Sequence, residues 1–489
     1  MALDNSIIST AIPRITDEFN SLNDVGWYGS AYLLTTASLQ LLYGKLYTIF
    51  SIKSIYLIAI TLFELGSLVC GISPNSTSLI LGRAVAGLGG AGIYVGSLIV
   101  LTHTVPLKKR PVYTSLVSSM WGVSSVAGPL LGGLLTDSLS WRWCFYINLP
   151  IVSYHFPILV VFITNLSPMR SATQRTWRSC FICIDPLGNL LFMPAIICLL
   201  LALHWGGIRY PWTSPHVMGL LVAFATAISA FVYLQCYSED HAMVPLRIFT
   251  QRSVWSSSFY AFNLGAAYLL SVYFLPIWFQ TVKGASAVTS GVMNLPLLVA
   301  VVIFSIVAGT FVTAWGYYAP WMILGSVLMA VGYGLISTFN SNTPSCLLVG
   351  FQILAGAGVG VGMQQPLMAV QVVLDPADLP TGTAIIVFMQ TIGGAIFVAV
   401  GQMAFTNNLL EGIVQYVPDM DPHIIMASGV TAIRQTIAPE LLPGITHAYN
   451  SGLAKTFLIS AITASATIIG SLCVEWKSIK GKNVHISMA

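Results

Sequence analysis

Long apolar stretches without charged residues follow one another along the whole chain, separated by short polar, glycine or proline-containing segments. A helix needs about 20 apolar residues to cross a bilayer core about 30 Å thick. The pattern predicts membrane-spanning helices at 27–44, 54–73, 78–103, 112–135, 143–165, 187–206, 217–237 and 254–280. The hydrophobic spacing therefore predicts helices rather than strands from one end of the chain to the other.

The 91 residues from Gly284 to Leu374 contain no Asp, Glu, Lys or Arg. At a rise of about 1.5 Å per residue this stretch is too long for one helix and long enough for three. Polar and proline residues predict breaks at 313–320 and 339–344. With further helices near 381–404 and 456–475 and a short apolar segment at the N-terminus, the predicted number of spans is fourteen.

Composition decides the class of protein. Hydrophobic residues make up 56% of the 489 residues, and charged residues only 7%. A soluble domain carries about 25% charged residues, so the chain cannot cover even one soluble globule of this size with charge. A soluble enzyme, a disordered regulator and a nucleic-acid-binding protein are excluded. The sequence predicts an all-α, multi-pass membrane protein that lies in a lipid bilayer.

Positive charge is distributed unevenly among the predicted loops. Cytoplasmic loops are enriched in Lys and Arg, and numbering the loops from a cytoplasmic N-terminus places 13 of the 20 basic residues inside. These are Lys45, Lys53, Lys108, Lys109, Arg110, Arg170, Arg175, Arg178, Arg247, Arg252, Lys477, Lys480 and Lys482. Fourteen helices with both termini in the cytoplasm fit this distribution. The one long connection, 405–455, is then predicted to be extracellular.

Three ionisable residues lie in apolar segments, where a charge costs at least about 2.5–3.5 kcal/mol on insertion scales and marks a functional site by default. Arg83 could be a snorkelling interface residue or a buried cation that tunes the proton affinity of a nearby carboxylate. Glu64 could carry protons or make an interhelical hydrogen bond. Asp4 is the third candidate, at the start of the first apolar segment.

Glycine and proline cluster in the fifth predicted helix, at Gly122, Gly128, Pro129, Gly132 and Gly133. Small residues let helices approach closely, and proline frees a backbone carbonyl and bends a helix. Five such positions within 12 residues predict more than an ordinary packing face, although a static packing role remains the alternative.

These motifs carry a family resemblance. Leu3-Asp4-Asn5-Ser6 with Ala11-Ile12-Pro13, the glycines around Arg83, the Gly-Pro-Leu-Leu-Gly-Gly helix and the segment WRWCFYINLP at 141–150 occur in an order and spacing similar to one group of transporters. The chain resembles the fourteen-helix drug:proton antiporter branch of the major facilitator superfamily, and within it the fungal efflux pumps for mycotoxins and other secondary metabolites.

The resemblance implies a fold and a division of the chain. It implies two six-helix bundles that flank a central cavity, with two extra helices between them and alternating access around a midplane site. On this basis we expect an N-terminal bundle at 1–165, a linker loop with two extra helices at 166–240, and most of the C-terminal bundle at 241–404. The extracellular loop at 405–455 and the last helix with its cytoplasmic tail at 456–489 complete the division.

The resemblance also implies roles for single residues. Arg83 is expected to be the proton-coupling arginine, and Gly128-Pro129 the antiporter signature that limits leak. The loop between the second and third helices, 44–53, departs from the family pattern because it lacks the acidic residue and both arginines. Only three residues precede Asp4, so we expect an N-terminally shortened first helix with Asp4 at its tip.

The predicted activity is proton-coupled export of hydrophobic or amphipathic small molecules such as toxins, drugs or secondary metabolites. Proton-coupled uptake of a siderophore or nutrient on the same fold is the alternative. No ATP-binding GxxxxGK[ST] sequence is present, so the proton gradient is the expected energy source. The eight histidines are dispersed, and we expect no enzymatic activity, metal or cofactor.

Cargo is expected to bind to amide and aromatic groups of the second bundle. Its long uncharged stretch suits neutral or weakly polar molecules, which apolar walls with a few orienting donors accommodate. The candidates are Asn263, Tyr273, Gln364, Gln365 and Gln390, each with an interhelical hydrogen bond as the alternative role. The expected partners are small hydrophobic cargo, protons and lipid, with a monomer in the plasma membrane as the functional form.

Overall fold

Helices account for nearly all of the computed structural model, which describes residues 1–19, 21, 24–153, 184–207, 210–238, 242–417 and 441–480. The long helices are α1 Ala2–Phe19, α2 Val25–Ile49, α3 Ile52–Gly71, α4 Ser76–Thr104, α5 Arg110–Ser138, α6 Trp143–Ser153, α7 Pro186–Trp205, α8 Pro215–Ser238, α9 Arg252–Thr281, α10 Leu295–Trp315, α11 Ala319–Ile336, α12 Ser345–Met363, α13 Gln365–Val373, α14 Leu379–Tyr416 and α15 Leu442–Cys473. Short helical segments lie at Leu107–Lys109, Leu246–Phe249, Ala287–Met293 and Pro376–Asp378.

Ten spans in the described ranges are both long enough and apolar enough to cross a membrane. The predicted all-α, multi-pass membrane protein is confirmed. The uncharged stretch of 91 residues divides as predicted, because α10, α11 and α12 occupy it in succession. The span predicted at 143–165 begins as α6, and its second half lies outside the described residues.

The predicted loop at 405–455 is wrong at both ends. Helix α14 continues to Tyr416, and α15 begins at Leu442. The two helices pack against each other there, with the rings of Phe405 and Tyr449 5.7 Å apart. A Cβ atom on Gly412 would lie 3.0 Å from Ala448. The sequence rule ended each span at its first polar residues, but a helix continues wherever it has a packing partner. Residues 418–440 lie outside the described part.

Two units make up the chain. Unit 1 comprises Met1–Trp255, Leu367–Phe388 and Ser478–Ala489, and unit 2 comprises Ser256–Pro366 and Met389–Lys477. The bounds differ from the division expected from the sequence, because 241–255 and 367–388 group with unit 1. The extra helix α7 also packs within unit 1, where Trp27 of α2 lies 5.7 Å from His204 and 6.4 Å from Trp205, measured between ring centroids.

Glycines set the closest helix approaches inside unit 1. A Cβ atom on Gly66 of α3 would lie 2.2 Å from the backbone nitrogen of Ala86, and one on Gly89 of α4 would lie 2.3 Å from the backbone nitrogen of Phe63. Helices α3 and α4 therefore meet backbone to backbone. This close pairing carries Arg83 of α4 into the interior of the unit.

Inside unit 2, glycines also allow close contact between α9 and α14. A Cβ atom on Gly265 would lie 2.1 Å from the backbone oxygen of Gln390, and one on Gly393 would lie 2.1 Å from the backbone oxygen of Phe262. Tyr260, also on α9, donates a hydrogen bond from its hydroxyl to the backbone oxygen of Met322 on α11 at 3.2 Å. Unit 2 is thus held by close backbone contacts and neutral hydrogen bonds.

Candidate functional site

An ion pair between Asp4 and Arg83 lies at the centre of the polar residues of unit 1. Arg83 Nη1 is 2.6 Å from Asp4 Oδ2, and both side chains are 0% exposed. Arg83 Nε donates to the backbone oxygen of Tyr28 at 2.9 Å, and the guanidinium lies 4.5 Å from the centre of the Tyr32 ring. A charge pair removed from solvent in this way is stable only while both partners are present, since either charge alone would be left uncompensated.

The structure corrects one sequence-based interpretation of this pair and adds to another. The snorkelling alternative for Arg83 is wrong, because a snorkelling side chain keeps its charged head in water and this one is fully buried. Asp4 lies in the first turn of α1, at the helix tip as expected, but it is only 1% exposed. Its carboxyl is buried because it contacts Arg83 of α4 and Asn148 of α6, which the length of α1 does not reveal.

Asn148 is the residue of this site that the sequence analysis did not single out. Its Nδ2 donates to Asp4 Oδ1 at 3.0 Å and to Ser67 Oγ at 3.2 Å. Asn148 lies in α6, Asp4 in α1 and Ser67 in α3. The available signal is an amide in the otherwise apolar segment 147–150, but the aromatic residues before it are also typical of a membrane-interface belt, which needs no buried polar contact.

Several polar atoms around the pair have unused hydrogen-bonding capacity. Among the described residues, Arg83 Nη2, the Tyr32 hydroxyl and both carboxyl oxygens of Glu64 are buried and have no hydrogen-bond partner. The interhelical hydrogen bond considered for Glu64 is therefore not formed. Buried polar groups are normally paired, so each of these atoms is a place where a water molecule or a rearranged neighbour could bind. The carboxyl oxygens of Glu64 could also accept a proton.

The glycines of the α5 motif differ in how closely they approach neighbouring residues. A Cβ atom on Gly128 would lie 2.0 Å from Ser6 Oγ, and one on Gly132 would lie 2.4 Å from the backbone oxygen of Ile7. By contrast, a Cβ atom on Gly133 would meet nothing within 4 Å. Gly122 is buried, and α5 continues through Pro129 without interruption.

The contact between α5 and α1 holds the turn of α1 that carries Asp4. Ser6 Oγ donates to the backbone oxygen of Ser124 at 2.7 Å, so a hydrogen bond supplements the close approach at Gly128 and Gly132. Both contacts fall within two turns of Asp4 along α1. Gly128 and Gly132 of α5 therefore hold the part of α1 that carries the buried carboxyl.

The five cargo candidates, Asn263, Tyr273, Gln364, Gln365 and Gln390, all belong to unit 2. Asn263 and Gln365 are buried, and each donates to a carbonyl four residues earlier in the chain, that of Phe259 at 2.9 Å and that of Val361 at 3.0 Å. Gln365 Oε1 is buried without a partner in the described part of the chain.

The other three candidates differ in exposure. Gln364 is buried, Gln390 is half-buried and Tyr273 is 54% exposed. Within the described ranges, the hydrogen bonds of Asn263 and Gln365 go to carbonyls four residues earlier in the chain. The part of all five residues in cargo binding stays a prediction.

The loop that departs from the family pattern makes contacts of its own within unit 1. Lys45 is buried, and its Nζ donates to the backbone oxygen of Ala242 at 2.6 Å. A Cβ atom on Gly44 would lie 2.4 Å from the Cβ of Ala384. The end of α2 is therefore in close contact with the start of α14 without the acidic residue and arginines that the family pattern has there.

Comparison with known proteins gives the family. The family model described as Major Facilitator Superfamily matches residues 1–398. An MFS-type efflux pump, MFS1, of Trichophyton rubrum is 49% identical over 489 residues, which cover 100% of this chain and 91% of that protein. The efflux pump aflT of Aspergillus parasiticus is 44% identical over 483 residues, covering 98% of this chain and 93% of the pump.

Solved structures agree on the fold. The crystal structure of the human organic anion transporter MFSD10 aligns with a TM-score of 0.57 at 12% identity, covering 95% of this chain and 96% of that one. The proton:xylose symporter XylE aligns with a TM-score of 0.55 at 16% identity, covering 94% and 91%. The helical architecture, the family model and the relatives together confirm the resemblance in the motifs: the chain belongs to the Major Facilitator Superfamily, a family of membrane transporters.

Proposed function

We propose that this protein is a proton-coupled efflux transporter that exports hydrophobic or amphipathic small molecules, such as toxins, drugs or secondary metabolites, from a fungal cell. The observation that carries the proton coupling is the fully buried pair of Asp4 and Arg83. Relatives named as efflux pumps, at 44–49% identity over almost the whole chain, favour export over the uptake alternative. The close crossing of α5 and α1 at Gly128 and Gly132 agrees with an antiporter helix.

The proton site has two states in this proposal. With Asp4 ionised, its charge is balanced by Arg83, which lies 2.6 Å away. A proton that binds Asp4 cancels the negative charge and removes most of the attraction, leaving Arg83 with the Tyr28 carbonyl and the face of the Tyr32 ring. Glu64, whose oxygens have no partner among the described residues, is the second acid available to receive a proton.

Exchange follows if cargo and proton affect each other's binding. By thermodynamic linkage, a cargo that lowers the affinity of Asp4 for its proton is itself bound less tightly, by the same factor, once Asp4 is protonated. Protonation from the outside then favours release of cargo there, and cargo binding inside favours release of the proton into the cytosol. The proton gradient supplies the driving force, and no cofactor is required.

Unit 2 is proposed to supply the contacts with cargo. The stretch from Gly284 to Leu374 has no charged side chain, so recognition there depends on apolar surface and on amides such as Gln365. Such a surface suits neutral or weakly polar molecules. Asn263, Tyr273, Gln364 and Gln390 are the remaining proposed contacts, and none of the five would compensate a charged cargo.

The proposed setting is a monomer in the plasma membrane, with both termini in the cytoplasm and no nucleic-acid partner. The distribution of Lys and Arg among the loops supports this orientation. Lipid and protons are the other partners.

A vesicle experiment tests the direction and the coupling. In inside-out membrane vesicles with an acidic lumen, we expect a fluorescent hydrophobic cargo to accumulate, and cargo addition to release protons from the lumen. Asp4→Asn is expected to abolish both, because an amide cannot exchange a proton. The exposed Glu18→Gln on the same helix is the control and should retain both activities. Accumulation that persists after the gradient is collapsed would contradict the proposal.

A pair of glutamines tests the cargo site. Gln365 and Gln352 are both buried, both donate Nε2 to a carbonyl four residues earlier, and both have an unpartnered Oε1 within the described residues. We expect Gln365→Leu to raise the KM for cargo about fivefold, since a hydrogen bond lost from a buried site is worth about 1 kcal/mol. The matched control Gln352→Leu should leave KM unchanged, and equal effects would remove Gln365 from the cargo site.

A further inference from the structure

We propose that Asn148 is the positioning residue that holds the Asp4 carboxyl in both of its protonation states. The inference rests on the proposed function, because it concerns the same proton site. It assigns to the amide of α6 a role distinct from that of Arg83.

The two oxygens of Asp4 are held from two different helices. Arg83 of α4 binds Oδ2 at 2.6 Å, and Asn148 of α6 binds Oδ1 at 3.0 Å. Asn148 is 6% exposed, and its Nδ2 also donates to Ser67 Oγ of α3 at 3.2 Å. The amide group is therefore fixed between α1 and α3 and faces the oxygen that the arginine leaves free.

The Arg83 guanidinium and the Asn148 amide differ in their capacity to accept a hydrogen bond. A guanidinium has only hydrogen-bond donors, whereas an amide has both donors and an acceptor. When a proton binds Asp4 Oδ1, the new hydroxyl needs an acceptor, which Arg83 cannot offer. Rotation of the Asn148 amide presents its Oδ1 to that hydroxyl, so the proton is held by a hydrogen bond and no other proton has to move.

The position of Asp4 Oδ1, the oxygen that Arg83 does not bind, supports different roles for Arg83 and Asn148. A proton approaching Oδ2 meets the positive charge of Arg83, while Oδ1 faces a neutral group. Asn148 therefore marks the oxygen at which the proton binds. It also keeps the carboxyl in place during the interval in which the ion pair with Arg83 is weakened.

Other ionisable groups also act on Asp4 and are common to every variant compared. They are Arg83 from α4, Glu64 and Cys70 from α3, Tyr32 from α2, Cys144 from α6 and the amino group of Met1, which immediately precedes α1. None of them is changed by substituting Asn148, so a shift in a pH profile would report the loss of the amide.

The test is the pH profile of export by the full-length protein at fixed membrane potential, measured with the fluorescent cargo used for the wild type. In Asn148→Leu the carboxyl loses the amide in both protonation states. The bond to the ionised form is charge-assisted and about twice as strong as the neutral bond to the protonated form, so its loss dominates and favours protonation. We expect the midpoint at which export falls with rising external pH to move about one unit to the alkaline side, a tenfold change in proton affinity. Asn189→Leu is the matched control, because it removes another buried amide of unit 1, whose Nδ2 donates to the backbone oxygens of Ile184 and Asp185. It should leave the midpoint in place.

A second variant guards against a failure of folding. Asn148→Asp has the same shape as the native residue and places a second carboxyl beside Asp4, which disfavours ionisation of the pair. The midpoint should again move to the alkaline side. Reduced export with an unchanged midpoint in both variants would show a purely structural role and overturn the inference. If the rate of export by the wild type does not depend on the proton gradient, the proposed function is wrong, and the inference is wrong with it.

Discussion

Arg83→Ala is expected to abolish proton-driven export and to destabilise the fold. The side chain is fully buried against Asp4, and removing one partner of a buried pair costs about 3–5 kcal/mol because the other charge is left uncompensated. Export and unfolding in mixed micelles are to be measured on the same preparation. A variant that folds less stably yet still exports at the wild-type rate would show that Arg83 is structural only.

Two further variants separate charge balance from coupling. The double variant Asp4→Asn with Arg83→Gln removes both charges, so most of the lost stability should return while export stays absent. Arg142→Ala breaks the exposed pair with Glu18, in which the side chains are 28% and 45% exposed, and such surface pairs contribute only about 0–1 kcal/mol. This control should export normally, and a loss equal to that of Arg83→Ala would contradict the special role of the buried pair.

Gly132→Ala is expected to disable the transporter while Gly133→Ala leaves it intact. A Cβ atom on Gly132 would lie 2.4 Å from the backbone oxygen of Ile7, whereas one on Gly133 meets nothing within 4 Å. Overpacking a helix contact costs about 1–3 kcal/mol, and here it also displaces the turn of α1 that carries Asp4. Alanine in place of an unconstrained helical glycine stabilises by about 0.5–1 kcal/mol.

The neighbouring glycines make this comparison direct, since they differ only in the face of α5 on which they lie. Export and thermal stability of both variants are to be compared with the wild type. Gly128→Ala is expected to be milder than Gly132→Ala, because the Cβ atom would lie 3.0 Å from the nearest backbone atom, the nitrogen of Ile7, and would otherwise meet only the Ser6 side chain, which can rotate. Equal losses from all three substitutions would show that glycine content, and not the crossing with α1, matters in this helix.

Much of the fold was predictable because the physics of the bilayer acts on local sequence. Apolar length determines where a helix can span, and the uncharged stretch from 284 to 374 divided into α10, α11 and α12 as polar breaks indicated. The ends of α14 and α15 were not predictable in this way. Beyond the apolar segment, α14 and α15 continue because they pack against each other, for example at Gly412 and Ala448. The sequence near each helix end does not indicate which other helix it packs against.

The candidate site was predictable in its parts. The cost of burying charge in an apolar segment singled out Asp4, Glu64 and Arg83, and the spacing of glycines indicated where helices approach closely. The same signals could not distinguish Gly132 from Gly133, since adjacent glycines are equivalent in sequence and differ only in the direction they face.

By itself the sequence determined that this protein is an all-helical membrane protein with scarce ionisable groups inside its spans, because composition and apolar length act on each segment independently. Only the tertiary structure decided which of those groups meet. The pairing of Asp4 with Arg83, the amide of Asn148 on the free carboxylate oxygen and the absence of partners for Glu64 among the described residues depend on distances between helices far apart in the chain. Such distances follow from the packing of several helices at once, which no single segment encodes.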